Sequence, residues 1–213
     1  MSTPETWSLW AHIAAGTVAV LAGGIALLTE KGGRRHRQAG KAFLASMAIV
    51  VVTVFALLAA DPTTLRVVLT LVAVFSGYLA FSGYRVLARK RSPATAHAVD
   101  WLAAGSVVLA CLALGGWGVS WVLGGDSFGI VMIVFGVIGV TFGGLELRQF
   151  RRGASGEWLV DHLQRMLAAF IATVSAVSAV NLTPILGIGA WLWPTVVGTP
   201  LIYYWSKRYS TTG

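Results

Sequence analysis

Residues 31–60 read KGGRRHRQAGKAFLASMAIVVVTVFALLAA. The stretch divides at Lys41. Before it, Lys31, Arg34, Arg35, Arg37 and Lys41 crowd among glycines; after it, residues 42–60 carry no charge. A bilayer's hydrocarbon core of about 30 Å is crossed by about 20 helical residues rising 1.5 Å each. Residues 42–60 meet that length, and the basic run beside them suits a headgroup region.

Working outward from this segment, six more stretches fit the same description: 7–28, 65–85, 98–123, 127–146, 158–180 and 184–205. Each is mostly Ala, Val, Leu, Ile, Gly and Phe. Lipid offers backbone N–H and C=O groups no partner, so such segments must be helices. The short alternating strands of a membrane barrel are not seen. The expected fold is therefore all-α, an integral membrane bundle of seven transmembrane helices forming one domain over 1–213. Composition agrees: 56% of residues are hydrophobic and only 11% charged, against roughly 25% charged in soluble domains. Mean hydropathy is +0.76. A soluble globule and a disordered chain are excluded, and lone Cys111 excludes a disulfide scaffold. Met1 to Glu5 hold no Lys or Arg, so the first segment reads as a retained helix rather than a signal peptide.

Orientation follows from the cations. Alternate loops hold the Lys31–Lys41 run, then Arg85, Arg89, Lys90 and Arg91, then Arg148, Arg151 and Arg152, and finally Lys207 and Arg208. Of 16 Lys and Arg residues, only Arg66 falls on the opposite side, and Arg165 lies within a span. The N-terminus is expected outside and the C-terminus in the cytoplasm, in a cell (inner) membrane. Trp7, Trp10, Trp117 and Trp121 fall at the outer ends and Trp101, Trp158 and Trp205 at the inner ends, as amphipathic rings prefer. Trp191 and Trp193 lie deeper and are expected between helices. The net charge of +8 is explained by this topology and by anionic lipid headgroups, with Arg34, Arg35 and Arg37 as contacts; nucleic acid is not an expected partner.

Close helix contact in lipid relies on small residues. Gly129, Gly136, Gly139 and Gly143 form a seam on the fifth span, Gly16 and Gly23 mark the first, and Ala168, Ala172 and Ala176 the sixth. These read as contacts within one chain, with a homodimer or a partner subunit as the alternative. A duplication is also visible in outline. The first and fifth spans share a glycine seam, an acid (Glu30, Glu146) and an Arg pair (Arg34-Arg35, Arg151-Arg152), the pattern of a three-plus-one-plus-three carrier.

Ionisable groups inside a membrane are costly and so become functional candidates. His12 lies in the first span. Tyr84 and Arg85 end the third, and Asp100 begins the fourth after His97. Glu146 closes the fifth, and Asp161 and Arg165 flank His162 in the sixth. His36 lies in the first basic loop. Apart from His12, all belong to the basic side. His36, His97 and His162 with nearby carboxylates offer the donors of a transition-metal site or of a proton relay. Each has a plainer reading too. Asp161 and Arg165, four apart, can pair on one helix face, Glu146 can meet a loop Arg, and an isolated His12 can bond a carbonyl or a hydroxyl.

A two-haem carrier needs paired His at both ends, and the outer end offers only His12. A single haem remains, held by two of His36, His97 and His162. A retinal protein needs a mid-span Lys, whereas Lys207 is terminal, and the Arg row of a voltage sensor is missing. Intramembrane zinc hydrolases match in His count but not in motif.

The stretch from His12-x-x-x-Gly16 through Lys31-Gly32-x-x-x-His36-Arg37-x-x-Gly40 resembles a family of bacterial multi-helix membrane proteins carrying a domain of unknown function. His162 followed by Met166 is similar to that family's later His. The resemblance implies a helical membrane protein with candidate His12, His36 and His162, and no activity. Three functions follow: a protein binding a transition metal or a single haem at the inner His/carboxylate cluster, a small-solute or proton-coupled transporter using Asp100, Glu146 and His162, and a non-catalytic membrane subunit or lipid-binding protein.

Overall fold

The computed structural model describes residues 3–90, 96–152 and 157–210. Among them every regular element is helical. The order is α1 (Thr3–Leu28), α2 (Arg34–Ala60), α3 (Thr64–Arg85), a short 3-10 turn (Val86–Lys90), α4 (Ala98–Leu123), α5 (Phe128–Arg152), α6 (Trp158–Leu186) and α7 (Gly189–Ser210). Six of these, α1 to α6, are long and apolar enough to cross a membrane. The multi-pass membrane character expected from the sequence is thus carried by α1 to α6. The length of α7 also suits a span, but Pro194, Pro200, Lys207 and Arg208 interrupt its apolar character.

Several boundaries differ from those read in the sequence. α2 begins at Arg34, so most of the basic run is its first two turns rather than a loop. α6 continues past 180, the bound read for the sixth segment, through Asn181, Leu182 and Thr183 and takes in Pro184. The chain reverses instead at Gly187, whose φ of 54° is a conformation that favours glycine. The Gly187 N–H bonds the Thr183 carbonyl at 2.9 Å, satisfying one of the orphan carbonyls a helix end leaves. Arg91 lies outside the described residues.

α3 is the hub. It packs on α2, α4, α5 and α6, and half of its span is buried, against 22% for α1. Around it stand three tight pairs: α1 on α2, α4 on α5 and α6 on α7. The α5 glycine seam explains the second pair. A Cβ on Gly136 would stand 2.8 Å from the Cys111 carbonyl and 2.9 Å from the Gly115 backbone. One on Gly118 would meet the Gly129 carbonyl at 2.7 Å. Only glycine lets these backbones approach so closely. The seam is thus spent within the chain. Gly23 of α1 faces Phe170 of α6, whereas Gly16 has nothing within 4 Å.

The duplication seen in outline does not carry into the packing. α1 lies on α2, its successor, but α5 lies on α4, its predecessor, because the α5 glycines face that way. The two deep tryptophans part company as well. Trp191 is buried against the Phe128 ring at 5.2 Å, while Trp193 is 42% exposed, its indole N–H held by Ser178 Oγ.

Candidate functional site: a histidine pair above a buried ion pair

The helices run alternately up and down, so one end collects the C-termini of α1, α3, α5 and α7 and the N-termini of α2, α4 and α6. This is the end to which the basic segments belong. His36 occupies the first turn of α2 and His162 the second turn of α6. Far apart in sequence, they meet with ring centres 6.5 Å apart and planes at 76°.

Each ring is fixed by a neighbouring helix. His36 Nδ1 lies 3.0 Å from the Ala26 carbonyl of α1, and His162 Nδ1 lies 2.8 Å from the Gly83 carbonyl of α3. A carbonyl only accepts, so Nδ1 carries the hydrogen in both rings. In the neutral imidazole Nε2 then keeps its lone pair. Histidines that ligate metals donate their other ring N–H to a carbonyl or carboxylate in this way, as do histidines that ligate nothing. Gly83 allows this approach: a Cβ there would press on Met166 Sδ at 3.0 Å and on Arg165 Cβ at 3.2 Å.

A second group of polar side chains lies one turn deeper. Arg165 follows His162 by one turn of α6, and Tyr78 precedes Gly83 by just over one turn of α3. Between them Glu146 of α5 is buried at 4% exposure and Arg165 at 5%. Arg165 Nη1 lies 3.0 Å from Glu146 Oε1, and the Tyr78 hydroxyl donates a short hydrogen bond to Glu146 Oε2. Arg165 Nη2 also donates to Gln149 Oε1 at 3.2 Å, and the Gln149 amide lies 3.5 Å from Asp161 Oδ1. Each charge therefore has an opposite charge and further hydrogen bonds, the condition under which buried ions are tolerated.

The other candidates fall outside this constellation. Arg85 forks onto Asp100, Nε to Oδ1 at 2.8 Å and Nη2 to Oδ2 at 2.9 Å, tying α3 to α4. Asp100 Oδ2 also accepts from the backbone N–H of His97, which is the N-cap of α4 and is exposed. Tyr84 points outward at 48% exposure. His12 bonds Thr53 Oγ1 of α2 at 2.9 Å, in the half of the bundle away from the basic end. Among the described residues, no three His, Cys, Asp or Glu side chains stand together as a metal cluster.

Sequence reasoning passed over Tyr78 and Gln149. The signal for Tyr78 is its depth: it lies mid-span, away from the headgroup level where tyrosines usually sit. Gln149 lies one turn beyond Glu146 on α5, and only its neighbours across the bundle mark it.

No protein-family model matches the chain, and neither a curated protein nor a solved structure matches it.

Proposed function

We propose that this is a multi-pass membrane protein that binds one haem at its basic end, where His36 and His162 would hold it. The observation that carries the reading is the anchored pair itself. Were both Nε2 atoms turned toward one metal at about 2.0–2.1 Å, the rings would stand at a separation that ordinary edge-to-face ring pairs also adopt. The His36 and His162 centres are 6.5 Å apart. Both rings present the tautomer that ligation through Nε2 requires.

The ligand count favours haem over a bare ion. A structural zinc takes four protein ligands and a catalytic zinc three, and no third donor joins the pair among the described residues. A porphyrin supplies four nitrogens of its own and asks the protein only for axial ligands. Held by two histidines, such a haem would be left without a ready site for oxygen. One-electron transfer then fits better than oxygen chemistry.

The reading includes a bilayer placement. α7 serves as a seventh span, the basic end faces the cytoplasm, and Arg34, Arg35 and Arg37, all exposed on the first turn of α2, meet anionic headgroups of the cell membrane.

The test is spectroscopic. The full chain is purified in mild detergent, supplied with haemin during expression, and its iron is counted per chain. A low-spin six-coordinate spectrum with one iron per chain is expected, lost in His36→Ala and in His162→Ala. A protein that neither retains iron nor takes up haemin would overturn the proposal, and a zinc-loaded chain would replace it.

A further inference from the structure

We propose that the outward face of α7 docks a second copy of this chain, with the two α7 helices parallel and side by side. The proposal rests on the reading of α7 as a seventh span and does not involve the histidine pair. α7 packs chiefly on α6. Trp191, Pro194 and Gly198 are buried on that side. The opposite side carries Trp193, Val196, Pro200, Tyr203 and Lys207, all exposed. Spaced three or four residues apart, they form one row along the helix.

Lipid alone does not suit this face. Pro200 has no N–H, so the Val196 carbonyl loses the bond that a helix would give it. With Lys207 at headgroup level, Pro200 lies about 10 Å into the bilayer at 1.5 Å per residue. A bare carbonyl is costly at that depth. Membrane prolines are tolerated where a hydroxyl or a neighbouring helix replaces the lost bond. The Thr199 hydroxyl beside Pro200 is already spent, donating to the Thr195 carbonyl at 2.8 Å. α6 lies on the other side of α7, so it does not cover the row. α7 also falls short of the apolar character that marks α1 to α6 as spans, as suits a helix shielded from lipid on two sides.

The missing donor stands on the same face. Tyr203 is 69% exposed, and its hydroxyl bonds no other residue among those described. A helical tyrosine leans toward the helix N-terminus, so this hydroxyl lies over the preceding turn, deeper in the bilayer than its own backbone. A helix carbonyl points toward the C-terminus, which carries the Val196 oxygen toward Pro200. Donor and acceptor therefore lie within about one turn of the same depth. Two copies inserted in one orientation are related by a two-fold axis along the membrane normal, and such an interface is isologous. Equal residues then stand at equal depth, and the Tyr203 hydroxyl of each copy donates to the Val196 carbonyl of the other. One contact satisfies both faces and needs no third component, so a second copy fits the row better than a different subunit does.

The experiment cross-links the full chain in isolated membranes. Val196→Cys, in a Cys111→Ser background, is oxidised with copper phenanthroline. A disulfide-linked dimer is expected, since facing positions of a two-fold row can approach the Cα separation of about 4.4–6.8 Å that a disulfide needs. Leu109→Cys, on the exposed side of α4, is expected to give none. Dimer dissociation is then measured in mild detergent. Tyr203→Phe removes the donor, and Pro200→Ala returns a helical N–H to the Val196 carbonyl. Both positions are exposed, so neither change disturbs the core. With two interhelical bonds lost per dimer, each variant is expected to raise Kd about five- to tenfold. A Val196→Cys chain that stays monomeric and resists a water-soluble maleimide overturns this inference and leaves the bilayer placement standing. One that stays monomeric and labels freely overturns the placement as well. A dimer linked through Leu109→Cys instead, a different protein held against α7, or a dimer unmoved by both Tyr203→Phe and Pro200→Ala overturns the proposal.

Discussion

The two ends of the bundle solve the same problem differently. Each places a histidine and an arginine within or beside apolar helices. At the end away from the basic segments, His12 is satisfied by the Thr53 hydroxyl. Arg66 spreads its contacts over Glu5 at 2.8 Å, Asp61 at 3.6 Å and the Leu57 carbonyl at 2.7 Å, with Asp61 largely exposed. These contacts tie α1, α2 and α3 together. At the basic end, His36 and His162 spend one ring nitrogen each on a carbonyl and keep the other. Arg165 is wholly buried on Glu146. The difference lies in company: His12 meets a lone hydroxyl, whereas His36 and His162 meet each other above a buried ion pair.

The strongest way to break this contrast is to remove one member of the buried pair. Arg165→Met strands Glu146 without a counter-charge, and breaking a buried pair in this way costs about 3–5 kcal/mol. Thermal unfolding in detergent should drop accordingly, and the double variant with Glu146→Gln should recover most of the loss. A single variant as stable as wild type would mean that water reaches Glu146.

Packing supplies a second, smaller contrast between the ends. Gly129→Ala drives a methyl into the Gly118 carbonyl, against backbone that cannot yield. Overpacking of this kind typically costs about 1–3 kcal/mol. Gly83→Ala meets mainly the Met166 side chain, which can turn aside, so it should cost less stability. It should still weaken haem retention by displacing the carbonyl that holds His162. Equal stability losses in the two variants, both with full haem content, would remove the contrast.

The histidines sharpen it further. His12→Ala should retain haem in full and lose about 0.5–1.5 kcal/mol, the worth of one ordinary hydrogen bond, whereas His162→Ala should lose haem altogether. Haem content measured side by side decides between them. The smallest effect belongs to Arg66→Ala. Its partly exposed ion pairs are worth about 0–1 kcal/mol, and a loss well beyond that would show Arg66 to be as deeply enclosed as Arg165.

Much of this architecture was legible before any coordinates. Residues 42–60 are long and apolar enough to cross a membrane as a helix, and the Gly129–Gly143 spacing announced a close seam. The helix ends were harder to read. Arg34 to Lys41 look like a loop because they are charged, yet a helix can project such side chains into headgroups while its backbone stays regular. Thr183-Pro184 look like a turn because proline lacks an N–H, yet near a helix end the missing bond costs little. For the site, Glu146, Arg165 and His162 stood out as costly residues, while Tyr78 and Gln149 did not, since neither carries a charge to mark it. Partners were also ambiguous. Spacing allowed Arg165 to meet Asp161 four residues away, and the bundle brings Glu146 within 3.0 Å instead.

The sequence by itself determined that this chain is helical, with helices long and apolar enough to cross a membrane. That follows from segment length and hydropathy, because lipid leaves an apolar backbone no other way to satisfy its hydrogen bonds. It also determined which end of the bundle would be basic. Only the tertiary structure decided which polar residues meet. His36 and His162 stand 126 positions apart, by subtraction of their numbers, and nothing local couples them. Their encounter depends on α6 packing against α3 and α1 rather than against α5, an outcome set by which helix faces carry small residues, and so by the fit of whole surfaces.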